Sequence, residues 1–271
     1  MLMDITIGQF FPAKSHLHRM DPRMKLVLTL LWIVLVFIPK NWWGLLAVVL
    51  FLCWCIALSG LPAKLIFKSM RPIVPLVIFT AAINVFYISG GTLLWEWKFI
   101  HIYSRGIVMA AFLAVRIMCL IIGSSLLTYT TPPTALTDAL ERLLKPLGYL
   151  HLQVHELAMM MTIALRFIPT LIEETDKIMS AQKARGADLE SGGLIKRVRA
   201  MIPILIPLFV SAFRRAYELA TAMECRCYHG GDGRTRMTAL HLQARDYISL
   251  AVCGIMLALL IVLNIFVRSV L

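Results

Sequence analysis

Five apolar runs, roughly 24–38, 42–59, 72–89, 106–127 and 247–267, constrain what this chain can fold into more than any other feature. About 20 apolar residues carry a helix across the hydrocarbon of a bilayer, where a segment must satisfy its own backbone hydrogen bonds, as a helix does. The runs predict an all-α integral membrane protein with about five transmembrane helices, the first three of them short. The composition agrees: 59% of the 271 residues are hydrophobic and only 15% charged, against about a quarter charged in soluble domains. Residues 1–14 lack the basic start, apolar stretch and small-residue cleavage site of a secretory signal, so the first run is expected to stay in the mature protein.

The flanks orient the spans. Lys14, Arg19, Arg23 and Lys25 gather at the start of the first run, and Lys64, Lys68 and Arg71 separate the second from the third, whereas Pro39-Lys40-Asn41 offers one positive charge. Lys and Arg accumulate on the cytoplasmic side, which places the N-terminus in the cytoplasm and, after five crossings, Arg268 outside. Trp42, Trp43, Trp95 and Trp97 suit the membrane interface on the other side, although Lys98 and Arg105 there reduce the contrast. Cytoplasmic basic residues account for the net charge of +12, so the expected partner is the lipid bilayer and not nucleic acid.

Residues 128–246 have a different texture, holding 12 of the chain's 15 acidic residues. The predicted organisation is an N-terminal membrane domain of four spans at 1–127, a cytoplasmic domain of long amphipathic helices at 128–246, and a C-terminal transmembrane helix at 247–271. Within the middle part, the apolar runs 157–165 and 200–213 are bounded by Arg and Lys and fit interfacial or buried helices. If one or both crossed, the count would be six or seven.

Two long helical segments, about 155–184 and 196–225, are interrupted only by Pro169 and by Pro203 and Pro207, which should bend them by removing backbone donors. Their ends match. Ser180-Ala181-Gln182-Lys183-Ala184-Arg185-Gly186 aligns with Thr221-Ala222-Met223-Glu224-Cys225-Arg226-Cys227, the arginines standing 41 positions apart. A glycine after the last turn can take the left-handed conformation that closes a helix, and a cation there complements the helix dipole. An Arg-Gly ending alone is an ordinary cap. Its repetition on paired helices points to two similar docking events, in which an arginine fork meets a carboxylate between small residues that let a partner approach.

Other strings add to these ends: Leu17-His18-Arg19-Met20-Asp21-Pro22-Arg23, Thr130-Thr131-Pro132-Pro133 and Leu165-Arg166-Phe167-Ile168-Pro169-Thr170. In this order and spacing, over nearly the whole chain, they resemble the transmembrane component of energy-coupling factor transporters, the CbiQ/EcfT family. The resemblance implies a non-catalytic membrane subunit without cofactors in a prokaryotic plasma membrane. It implies two ATP-binding cassette ATPase subunits as partners, with Ala184, Arg185 and Gly186 docking one and Cys225, Arg226 and Cys227 the other. It further implies a separate small membrane protein, the S component, that binds the vitamin or micronutrient. A dedicated cobalt or nickel permease of the CbiQ type is the variant reading. The second ending departs from the family pattern, with Cys225 in place of Ala and Cys227 in place of Gly. The chain then either reverses at Cys227 with left-handed strain or reverses later, at Gly230-Gly231.

Competing chemistry is thin. No Gly precedes a Lys, so the phosphate-cradling loop of an ATPase is missing. Cys225, Cys227 and His229 are soft ligand types, but a single intervening residue is not the usual zinc spacing, and no metal is expected. His151, His155 and Glu156 lack the His-Glu-x-x-His order. All six cysteines read as thiols. Arg116, inside the fourth run, either pairs within the bundle or meets a partner subunit. Met159, Met160, Met161, Met118, Met201 and Met223 suit interior packing or an adaptable surface. A lipid-modifying enzyme would draw on Glu173, Glu174 and Asp176, and a secondary carrier would need repeated spans, which are not seen.

Overall fold

The computed structural model describes residues 10–13, 15–88, 90, 92–97, 100–146, 153–187, 193–230 and 241–267. The chain divides into two compact units, one of residues 8–139 with 239–271 and one within 140–238. In chain order the elements are α1 (Pro22–Phe37), α2 (Trp42–Ser59), α3 (Ala63–Met70), α4 (Val74–Tyr87), the strands β1 (Leu93–Trp97) and β2 (Ile100–Tyr103), α5 (Ser104–Thr130), α6 (Pro133–Leu144), α7 (Val154–Ala184), α8 (Leu194–Cys225) and α9 (Ala244–Phe266). The class is all-α; β1 and β2 form one antiparallel ribbon in the loop before α5.

Helices α1, α2 and α9 of the first unit start where the sequence supplies a side-chain cap. The Asp21 carboxylate accepts the Arg23 amide at 2.9 Å, with Pro22 at the first helical position, and Asn41 accepts the Gly44 amide at 2.7 Å. At α9, Asp246 and Gln243 cap one another reciprocally. Such caps contribute about 1 kcal/mol each.

Among the described residues five helices are long and apolar enough to cross a membrane: α2, α5, α7, α8 and α9, with α3 and α4 as a sixth if their pair, bent by 53°, counts as one broken span. The number matches the sequence expectation, but the membership differs. The runs at 24–38 and 72–89 become helices of 16 and 14 residues, about 24 and 21 Å at 1.5 Å per residue. Conversely, α7 and α8 extend their apolar stretches through Arg166 and into Arg214 and reach spanning length.

The core of the first unit joins α1, α2, α5 and α9 around Trp32, Leu35, Val36, Val48, Leu52, Cys119, Leu126, Met256 and Leu260. Helices α1 and α5 meet closely because residue 123 is glycine: a Cβ there would sit 1.9 Å from Trp32 Nε1. Lipid is as apolar as leucine, so such packing and interhelical hydrogen bonds, rather than escape from water, hold membrane helices together. Both ends of this assembly supply those bonds. At one end Lys25 Nζ donates to the Thr130 carbonyl at 2.9 Å and the Thr131 hydroxyl at 3.3 Å, and the Asp21 amide donates to Asp246 at 3.0 Å. At the other, Asn41 Nδ2 donates to the Leu263 carbonyl at 2.9 Å and Asn264 Nδ2 to the Ile38 carbonyl at 2.6 Å. Arg116 joins this second knot, donating to the Pro39 carbonyl with its guanidinium 4.7 Å from the Phe112 ring centroid. Its guanidinium is therefore engaged within the bundle by a carbonyl and an aromatic ring.

In the second unit, α7 packs on α8, and His155 lies 2.9 Å from Glu141; His151 falls outside the described residues. Met160, Met161 and Met201 are exposed, as are Leu205, Phe209 and Phe213. The methionines thus belong partly to an apolar surface of this chain and not wholly to its interior.

Candidate functional site at two matched helix ends

Each matched end closes its helix in the same way. On α7 the Gly186 amide donates to the Lys183 carbonyl at 3.0 Å and the Ala187 amide to the Gln182 carbonyl at 3.0 Å. On α8 the Cys227 amide donates to Glu224 at 2.8 Å and the Tyr228 amide to Met223 at 3.1 Å. These are the two bonds of a Schellman cap, in which the residue after the cap turns left-handed. Gly186 does so at φ +86° and Cys227 at φ +56°. The reversal on α8 therefore occurs at Cys227 itself, at a strain on the order of 1 kcal/mol for a residue with a Cβ.

The cap places Arg185 and Arg226 at the same position, one residue beyond Ala184 and Cys225, which end their helices. All six residues of the two endings, Ala184 to Gly186 and Cys225 to Cys227, are exposed. Among the described residues neither guanidinium has a hydrogen-bond or ion-pair partner. A Cβ added at Gly186 would meet nothing within 4 Å, so only the backbone angle, not space, demands glycine there. Cys225, Cys227 and His229 do not converge into a three-ligand group, and all six cysteines are unpaired.

The helices are pinned to each other at a contact the sequence reading did not foresee. Glu174 of α7 accepts from Arg215 Nη2 at 2.8 Å and from the Ser211 hydroxyl of α8. Glu174 stands eleven residues before Arg185, and Arg215 eleven before Arg226. The two helices therefore meet at equivalent points of the repeat. They run antiparallel, since Gln182 of α7 also donates to the Pro203 carbonyl of α8 at 3.4 Å, so Arg185 and Arg226 lie about 16 Å beyond this crossing in opposite directions. The available signal was this pair of opposite charges at matched offsets. Beside the crossing lies a concavity of about 320 Å³ lined by Thr170, Glu173, Glu174, Lys177 and Arg215. Glu174 is committed to the crossing, which removes one of the carboxylates an enzymatic reading would use.

A family profile described as CbiQ, cobalt transport protein, matches residues 13–237. The energy-coupling factor transporter transmembrane protein EcfT of Clostridium kluyveri is 52% identical over 265 residues, covering 97% of this chain and 98% of that relative. The protein of the same name from Ruminiclostridium cellulolyticum is 53% identical over 246 residues, 91% of this chain and 92% of its own. That of Acidaminococcus fermentans is 48% identical over 268 residues, 99% and 98% respectively. The chain belongs to the CbiQ/EcfT family. As a CbiQ/EcfT protein with several apolar helices of spanning length, it is a multi-pass membrane protein. The family match includes α7, α8 and both endings, so the cysteines at 225 and 227 are a feature of a family member and not of an unrelated chain.

Proposed function

We propose that this chain is the coupling subunit of an ATP-driven energy-coupling factor importer. Although α7 and α8 are long enough to cross, they are the least apolar of the five candidate spans, and we place residues 128–246 on the cytoplasmic face with the N-terminus on the same side. The α7 end, through Ala184, Arg185 and Gly186, docks one ATP-binding cassette ATPase; the α8 end, through Cys225, Arg226 and Cys227, docks a second. A separate small membrane protein holds the vitamin or micronutrient, so this chain needs no binding site, cofactor or catalytic group of its own.

The observation that carries this reading is the pairing of two equivalent, exposed and unpartnered arginines on identical caps, equidistant from one crossing. One docking site needs one such end; two ends address two similar partners. An arginine fork held at a helix end is suited to a carboxylate on the partner, through two parallel charge-assisted bonds. When ATP draws the ATPases together, the two ends approach, and α7 and α8 carry the movement toward the substrate-binding partner.

The deciding experiment is Arg185→Glu combined with Arg226→Glu in the reconstituted importer. ATPase co-purification and ATP-dependent uptake should both be lost while the chain still inserts and resists heat as the parent does. Retained uptake in that variant would overturn the assignment.

A further inference from the structure

We propose that Cys225 and Cys227 form a thiol-modification site at which an anionic low-molecular-weight disulfide reversibly caps the α8 end and masks Arg226. The inference rests on the coupling function proposed above and adds to it a regulation specific to one of the two ends.

Four of the six cysteines belong to the membrane helices α2, α5 and α9, with Cys119 and Cys253 buried in the core. Cys53 is also exposed, but on the apolar helix α2; Cys225 and Cys227 differ in being exposed at a helix end, where they flank Arg226. The matching positions on α7, Ala184 and Gly186, carry no nucleophile. Cys227 also holds a left-handed backbone, φ +56°, where a glycine would be unstrained. A strained residue at a docking end, bearing a reactive atom, is the sort of outlier that accompanies function. Paired thiols in a reducing compartment are redox-responsive more often than structural, and sensor thiols are accessible with a second thiol close by.

The chemistry needs one co-reactant, oxidised glutathione or a similar acidic disulfide. The cysteine thiolate attacks one of its sulfurs, the S–S bond breaks, and the departing half takes the proton to leave as a thiol. The product is a protein mixed disulfide, with no net oxidation beyond the disulfide consumed; a small thiol reverses it. The carboxylates of the adduct then lie within a residue of the Arg226 guanidinium and can pair with it. This occupies the fork that the ATPase would use and adds bulk where small residues are needed. The α7 end is untouched.

The test treats the full-length chain in lipid nanodiscs with oxidised glutathione, maps the adduct by peptide mass, and then measures binding of the ATPase subunits. The expected result is an adduct on Cys225 or Cys227 and about a tenfold loss of ATPase affinity, equivalent to 1.4 kcal/mol, restored by dithiothreitol. In Cys225→Ala with Cys227→Gly, whatever its own affinity, treated and untreated protein should bind equally. An adduct at either cysteine with unchanged ATPase affinity overturns the proposal, as does absence of any adduct when the denatured chain is readily modified. Arg226→Glu separates the two claims. If that variant binds the ATPases normally, the coupling function itself is wrong; if it loses them and the adduct does not weaken binding, only this inference is wrong.

Discussion

The ends of α7 and α8 have the same hydrogen bonds, the same backbone sense and the same arginine, yet one closes on Gly186 and the other on Cys227. The difference teaches that the cap geometry is kept even where the residue at the turn is not suited to it. Where the two sequences diverge, the backbone keeps its shape and accepts strain; it does not move the turn three or four residues on to glycine.

Charge reversal puts the heaviest load on this equivalence. Arg185→Glu and Arg226→Glu, tested singly, should each weaken ATPase binding by about 2–5 kcal/mol, the usual cost of breaking a buried interfacial charge pair. Losses differing by more than about tenfold, as 1.4 kcal/mol would give, would break the symmetry drawn here. A smaller effect is expected at the crossing. Glu174→Arg should destabilise the packing of α7 on α8 by about 1–2 kcal/mol, less than a fully buried charged contact because both side chains are partly exposed. The exchanged pair, Glu174→Arg with Arg215→Glu, should recover much of it in thermal unfolding. Smallest are the cap substitutions, and their signs are opposite. Gly186→Ala should cost about 1 kcal/mol, whereas Cys227→Gly should stabilise by a few tenths, part of the relieved strain being offset by a freer unfolded chain. Hydrogen exchange at the Ala187 and Tyr228 amides, which donate the outer cap bonds, reads both changes locally.

Much of this architecture was legible in the residues. The runs that became α2, α5 and α9 are continuous, and α2 and α9 begin at the caps of Asn41 and of Gln243 with Asp246, so pattern and structure coincide. Helix α1 stops at Phe37, one residue before the end of its apolar run, because Pro39 and the buried Asn41 turn the chain there. Helix α3 was hidden because eight residues with two lysines between Pro62 and Pro72 read as a basic loop. Helices α7 and α8 were legible at nearly their full lengths, 155–184 and 196–225; only their apolar runs were bounded by Arg166 and Arg214, charges that a long helix carries on one face. At the site, the repeated Arg endings were visible and the position of the α8 turn was not, since Cys227 and Gly230 both offered a plausible reversal. The Glu174–Arg215 contact was invisible for a general reason: a long-range ion pair has no local signature, and only the repeat offset gives it away.

The crossing also divides each helix unequally. From Glu174, eleven residues lead forward to Arg185 and twenty lead back to Val154; from Arg215, eleven lead to Arg226 and twenty-one back to Leu194. With arms of about 16 and 30 Å and antiparallel axes, the short arm of each helix lies beside the long arm of the other, and the pair is a strut with an arginine toward each end. Pro169, Pro203 and Pro207 all lie on the long arms. Each arginine-bearing arm is therefore free of proline, and a load applied at the two arginines would run along the strut through the Glu174–Arg215 contact.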